Sequence, residues 1–178
     1  IGVSENGVIN FDEIPSLIKA NTKAIVITHA SNVTGNITDL KKYGDFCRNN
    51  NLLFVVDASQ TAGAFNIDMK EMNIDVLCFT GHKSMLGPQG TGALCVREEV
   101  YIRPFMVGGS GTHSYDEFQP DKMPTSLEAG TLNSHGIAGL HASIDYILRN
   151  KMENLTNKAM ELARKFYDGV TKFPEVKV

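Results

Sequence analysis

The chain has 178 residues, 42% of them hydrophobic and 21% charged, with 16 Gly and 6 Pro, the make-up of a globular domain and not of collagen, a coiled coil or a disordered tail. At this length a single domain buries roughly 70% of the surface its unfolded chain exposes, so a full core needs neither disulfides nor a structural metal. The 17 basic and 20 acidic residues give a net charge of -3 with no basic run, which argues against nucleic acid or an anionic membrane and for a small-molecule partner.

The opening stretch, IGVSENGVINFDEI, has neither the basic start nor the apolar run of a signal peptide. Ala24 to Thr28 (AIVIT) and Leu52 to Val56 (LLFVV) are short apolar, β-branched runs that predict buried strands. Between them, Thr38 to Asn50 sets Leu40, Tyr43, Gly44 and Cys47 on one helical face, with Thr38 as the expected N-cap. That pattern is a β-α-β unit. Val76 to Thr80 and Gly92 to Val96 predict two further strands, joined by a glycine-rich connection that contains Lys83. His113 lies in GGSGTHS, too rich in glycine for regular structure. Ser134 to Leu148 carries Ile137, Leu140, His141, Ile144 and Ile147 or Leu148 at helical spacing, and Met152 to Val170 continues as a second amphipathic helix. After Pro174, the alternation of Val176 and Val178 suggests the start of another strand.

Strands alternating with helices imply an α/β fold: a mostly parallel sheet covered on both faces, in three α/β/α layers. No apolar run approaches the 18 or so residues of a membrane-spanning helix. Of the three cysteines, Cys78 and Cys95 fall inside the apolar runs VLCF and ALCV, where a buried free thiol is the expectation. A reducing, cytoplasmic setting fits this usage. His135 and His141 fall on a helix built for packing, and nothing has the spacing of a metal site, neither C-x-x-C nor H-E-x-x-H, so no metal is expected.

In a parallel sheet the ligand sits outside the carboxyl ends of the strands. Those ends carry His29-Ala-Ser-Asn32 after the first strand, Asp57-Ala-Ser-Gln60 after the second and Thr80-Gly-His82-Lys83 after the third. A strand-end acid is commonly a turn-former, but Gln60, three residues on, lets both side chains address the same crevice. His29 suits either a packed core position or a contact to a ligand. For Lys83 three readings stand: a surface lysine without a role, a point charge for phosphate, or a Schiff-base lysine for pyridoxal 5'-phosphate. The phosphate-loop spacing is absent, because the glycines follow the lysine. The Schiff-base reading needs an acid beside the pyridine nitrogen so that the ring serves as an electron sink, and Asp57 is a candidate. A cofactor-free α/β module that holds an anion at Lys83 is the competing reading from another class.

THASNVTG, VVDASQTAG, FTGHKSMLGPQGTGAL and EAGTLN, in this order and at these spacings, resemble the class V aminotransferase and cysteine desulfurase family of fold-type-I pyridoxal phosphate enzymes. The resemblance covers nearly the whole chain. It implies that Lys83 forms the Schiff base, that Asp57 pairs with the pyridine nitrogen, and that Asn32 and Gln60 address the ring oxygen. It implies phosphate binding by Thr80 and His82, and by Thr131 toward the neighbouring subunit of a homodimer. It makes the Gly108 to Ser114 segment, with His113, a mobile loop near the dimer's active site, against which a plain surface loop stands equally. The implied activity is removal of sulfur from L-cysteine to give alanine and an enzyme persulfide, with passage to a sulfur-acceptor protein. Class V aminotransfer or selenocysteine lysis on a small amino acid are the sister activities.

Family members are longer. They carry an upstream segment that stacks a side chain on the pyridoxal ring, and a C-terminal small domain with a carboxylate-binding arginine and, in desulfurases, the sulfur-accepting cysteine. Cys47, Cys78 and Cys95 match none of those positions. Residues 1–178 are therefore expected to be the central part of the large, cofactor-binding domain, with the C-terminal end approaching the small domain.

Overall fold

The computed structural model describes residues 1–112 and 115–176. His113 and Val178 lie outside the described residues. Four strands, β1 (Ala24–Thr28), β2 (Leu53–Asp57), β3 (Val76–Thr80) and β4 (Gly92–Val96), form one sheet in the order β1-β2-β3-β4. The first three are parallel and β4 is antiparallel to β3, so the expected α/β, mostly parallel architecture is present. The β3–β4 connection is too short for a helical crossover, which dictates the reversal. The second strand starts and ends one residue later than expected: Leu52 is buried in the core but stands outside the ladder.

Around these strands are a 3-10 turn (Phe11–Glu13) with the short helix α1 (Ile14–Leu17), then α2 (Leu40–Asn49), α3 (Ser134–Asn150) and α4 (Met152–Val170). A small bridge between Val3 and Ile9 closes the N-terminal segment on itself. The face of α2 that packs on the sheet holds Leu40, Tyr43, Gly44 and Cys47, as the periodicity predicts. Opposite it, Ile25, Ile27, Phe54, Val56 and Leu77 alternate along β1, β2 and β3 to fill one core with Ile14 and Ile74. The rings of Phe11 and Tyr43 meet edge to face at 4.9 Å, which seals the end of this core beside α1.

The N-cap of α2 is Asp39, not Thr38. Asp39 Oδ1 accepts the Lys42 amide at 3.1 Å, the orphan donor of the first turn. Thr38 is one residue too early for that role, and its hydroxyl instead donates to the Thr28 carbonyl at 3.1 Å, tying the helix entry to β1. Asn133 caps α3 by accepting the Gly136 amide at 3.0 Å. Along α3 only Gly136, Leu140 and Ile147 are buried, while Ile137, His141 and Leu148 are exposed and Ile144 is half-buried. The helix α4 is amphipathic yet has no buried residue. On the sheet face away from α2, Val26, Leu53 and Leu94 are exposed. Val176 closes a turn onto Phe173 and forms no strand.

At the amino end of the sheet Asp75 is buried. Its Oδ2 accepts the Phe54 amide at 2.7 Å, and its own amide donates to the Phe54 carbonyl at 2.9 Å. Arg97 Nη1 stands 2.8 Å from Asp75 Oδ1; the contact is Coulombic, since that oxygen has no aligned hydrogen bond.

Candidate active site

The carboxyl ends of β1, β2 and β3 lie side by side, and the register puts Thr28, Asp57 and Cys78 in one cross-strand row. Side chains in such a row share a face, and Thr80, two residues beyond Cys78, shares it too. Asp57 is the last residue of β2 and is exposed. Its Oδ1 accepts the Ser59 amide at 2.9 Å, an Asx turn that orients the carboxylate and leaves Oδ2 without a hydrogen bond among the described residues. Ser59 was not among the expected site residues; the signal for it was the D-x-S spacing itself. Gln60 follows, half-buried.

Asn32 stands exposed in the turn after β1, a turn shaped by Ser31 Oγ, which accepts the amides of Val33 at 3.2 Å and Thr34 at 3.1 Å. After β3 the chain folds into a compact loop. The Gly87 amide donates to the Gly81 carbonyl at 2.7 Å and the Leu86 amide to the Lys83 carbonyl at 2.8 Å. Lys83 and His82 are exposed on this loop, and Thr80 Oγ1 meets His82 Nδ1 at 2.7 Å. A Cβ on Gly81 would lie 2.1 Å from Thr91 Oγ1, and one on Gly87 would lie 2.8 Å from Leu140 Cδ1 of α3. The close approach at Gly81 therefore requires glycine, and α3 backs the lysine loop.

Thus Asp57, Thr80, His82 and Lys83 come together at adjacent strand ends, with Asn32 and Gln60 on the flanking turns. Thr131 does not join them by contact: it is exposed after Gly130, on the approach to α3, and makes no hydrogen bond among the described residues. Nor do the side chains of Lys83, Asn32 or Gln60. A cleft of about 580 Å³ beside β1, lined by Val8, Phe11, Val26 and Tyr43, does not include Asp57 or Lys83. The donor set is an open crest along the strand ends.

His29 is a core histidine. It is buried, its Nδ1 lies 2.8 Å from Thr61 Oγ1, and its ring meets Phe65 edge-on at 6.2 Å. Burial pushes its pKa below the ordinary value. All three cysteines are free, with Cys47 buried and Cys78 and Cys95 half-buried instead of fully enclosed, because β3 and β4 lie toward the open side of the sheet. Burial, with the Asp75 charge adding, pushes the Cys47 thiol up to about 12. Burial, then the charges of Asp57 and Cys95, raise Cys78. Among the described residues no three His, Cys, Asp or Glu side chains gather as metal ligands, and no helix is long and apolar enough to cross a membrane.

The model of the class V aminotransferase family matches residues 1–178. The chain belongs to that family. A probable cysteine desulfurase of Methanothermobacter thermautotrophicus is 33% identical over 96% of this chain and 44% of its own length. The cysteine desulfurase IscS of Buchnera aphidicola is 31% identical over 97% of this chain and 40% of its own. Among solved structures, the cysteine desulfurase CsdA of Escherichia coli superposes with a TM-score of 0.87 at 30% identity, over 97% of this chain and 44% of that one. The chain thus spans less than half the length of these relatives.

The residues present fit the pyridoxal phosphate that the family implies. Asp57 keeps one carboxylate oxygen free at a strand end, the Thr80 and His82 pair offers short-range donors to a phosphate, and Lys83 stands exposed on the loop that Gly81 opens.

Proposed function

We propose that the protein containing this chain is a cysteine desulfurase that holds pyridoxal phosphate covalently at Lys83 Nζ and takes sulfur from L-cysteine, giving alanine and a persulfide on an enzyme cysteine. The observation that carries the reading is the convergence of Asp57, the Thr80 and His82 pair and Lys83 at adjacent strand ends. When bound, the cofactor withdraws electrons from the substrate's α-carbon. Asp57 would pair with the protonated pyridine nitrogen. Asn32 and Gln60 would orient the ring, Thr80 and His82 would anchor the phosphate, and the Lys83 amine would move a proton at the substrate's α-carbon.

Thr131, exposed and without a hydrogen bond among the described residues, reaches the phosphate of a second copy in this reading, which makes the enzyme a homodimer. The sulfur-accepting cysteine is none of the three present. The Cys47 thiol, held up to about 12, is not a thiolate at neutral pH, and Cys78 and Cys95 lie within the paired strands β3 and β4. The acceptor therefore belongs to another part of the protein, which hands sulfur to a partner. Three free cysteines support a cytoplasmic setting.

The test uses the full-length protein. It should show a visible absorbance band that borohydride removes and Lys83→Ala eliminates, and should release sulfide from L-cysteine in the presence of a thiol. Amino transfer to a keto acid without sulfide would decide for a class V aminotransferase. A protein with no such band, in which Lys83→Ala changes only anion affinity, would be the cofactor-free module.

A further inference from the structure

Of the side chains offered to the cofactor, those of Asn32, Gln60 and Lys83 stand on loops and make no hydrogen bonds among the described residues. One segment, with Thr61 buried and residues 62–65 half-buried, touches the three loops that follow β1, β2 and β3. Residues 61–65 form a tight turn in which the amides of Ala64 and Phe65 both donate to the Thr61 carbonyl at 2.9 Å. Thr61 is fully buried, with 0% exposure. Its hydroxyl is 2.8 Å from His29 Nδ1, three residues before Asn32 on the loop after β1. The turn begins next to Gln60 and four residues after Asp57, and the Thr61 amide donates back to the Ala58 carbonyl at 2.9 Å.

Gly63 lies against the third loop. Its φ of +83° is in the left-handed region, and a Cβ there would stand 2.5 Å from the carbonyl oxygen of Ser84, the residue after Lys83. Two independent reasons, backbone conformation and contact, thus forbid a side chain. Finally Thr156 Oγ1 of α4 donates to the Ala64 carbonyl at 2.5 Å, a link across 92 residues.

We propose that the turn of residues 61–65 is the positioning element of the site: the Thr61 hydroxyl on His29 and the bare Gly63 against Ser84 set Asn32 and Lys83 relative to Asp57. The inference rests on the proposed function and assigns Thr61, Gly63 and His29 no contact with cofactor or substrate. Groups that act on one ligand must be held within about 0.5 Å of their working geometry, and they are held by neighbours whose own positions are locked. A buried hydroxyl-imidazole bond and a backbone-to-backbone packing contact are such locks. Neither costs side-chain entropy when the ligand arrives, because both are made in the folded chain beforehand.

Thr61→Val keeps the shape and removes the hydroxyl, Thr61→Ser restores it, and Gly63→Ala pushes on Ser84 without touching His29. In the full-length protein, pyridoxal phosphate affinity, the pH profile of the visible absorbance band and the melting temperature without cofactor are measured for each. Thr61→Val should weaken cofactor affinity about tenfold, the size expected of one lost buried hydrogen bond, and shift the pH profile of the band, with Thr61→Ser returning both. Gly63→Ala should shift the same profile by displacing the lysine loop; His29→Gln, which leaves Gly63 and Ser84 untouched, should weaken affinity and shift the profile as Thr61→Val does, and it decides the matter if either of the other two does not fold. A drop in melting temperature with affinity and pH profile unmoved would overturn the proposal and leave the turn a plain stability element. A wild-type protein that has no band overturns the proposed function itself, before any variant is made.

Discussion

Two aspartates sit at opposite ends of the same short sheet and meet opposite conditions. Asp75, at the amino end, is 4% exposed; one oxygen takes the Phe54 amide and the other faces Arg97. Asp57, at the carboxyl end, is exposed, and after its turn bond to the Ser59 amide one oxygen remains free. A carboxylate engaged on both oxygens and shielded from water can only hold the fold together, since any new partner must displace an old one. A carboxylate aimed by a backbone amide but left with an open oxygen can take a further partner without displacing one. In open parallel sheets the ligand crevice lies outside the carboxyl ends of the strands, and the second kind of aspartate is found there.

Substitution should separate the two aspartates most sharply. Asp75→Ala removes one partner of the buried pair and orphans the Phe54 amide, so stability should fall by about 3 kcal/mol, the low end for a buried ion pair because Arg97 keeps partial access to water. Asp57→Ala should change stability by no more than about 0.5 kcal/mol. Urea denaturation of both variants checks this, and equal losses would erase the distinction. A smaller effect is expected at the helix that supports the carboxyl end. Asp39→Ala should cost about 1 kcal/mol, the worth of an N-cap, and Thr38→Ala less, since its exposed hydroxyl bond lies outside the helix. A larger loss at Thr38 in the same denaturation experiment would restore Thr38 as the cap.

How far the sequence could be read follows from which forces act locally. The strands are legible because each is a β-branched apolar run ended by polar residues, and the α2 face because one side of ten residues meets one core. The cap was misplaced by one residue because Thr38 and Asp39 are both capping types, and only the geometry of the first turn chooses between them. The periodicity of α3 and α4 identifies an apolar face but not what covers it; Leu162 and Phe166 remain more than half exposed. At the site, Asp57 and Lys83 stood out as chemistry at strand ends. The Thr61 turn did not, because a threonine in QTAGAF has no local pattern, and its hydrogen bond to His29 spans 32 residues. Long-range contacts between short polar groups leave no periodic trace.

His29 is the exception at the carboxyl end, a titratable group there that is buried like Asp75, and it gives the comparison its finest test. Burial lowers its pKa from the ordinary value of 6.5, because an imidazolium enclosed beside Phe65 and Thr61 loses its hydration. The unfolded chain takes up a proton as pH falls through about 6.5 while the folded chain still resists, so in that window the unfolded state binds more protons. Stability contributed by His29 is therefore fully present above the unfolded value and declines as pH falls toward the depressed folded one. His29→Gln removes the titration, so the wild-type protein should lose more stability than the variant between neutral and mildly acidic pH, by a modest amount set by the size of the shift. Urea denaturation of both at pH values above and below that window measures the difference. Parallel profiles would mean that His29 titrates as freely as an exposed histidine.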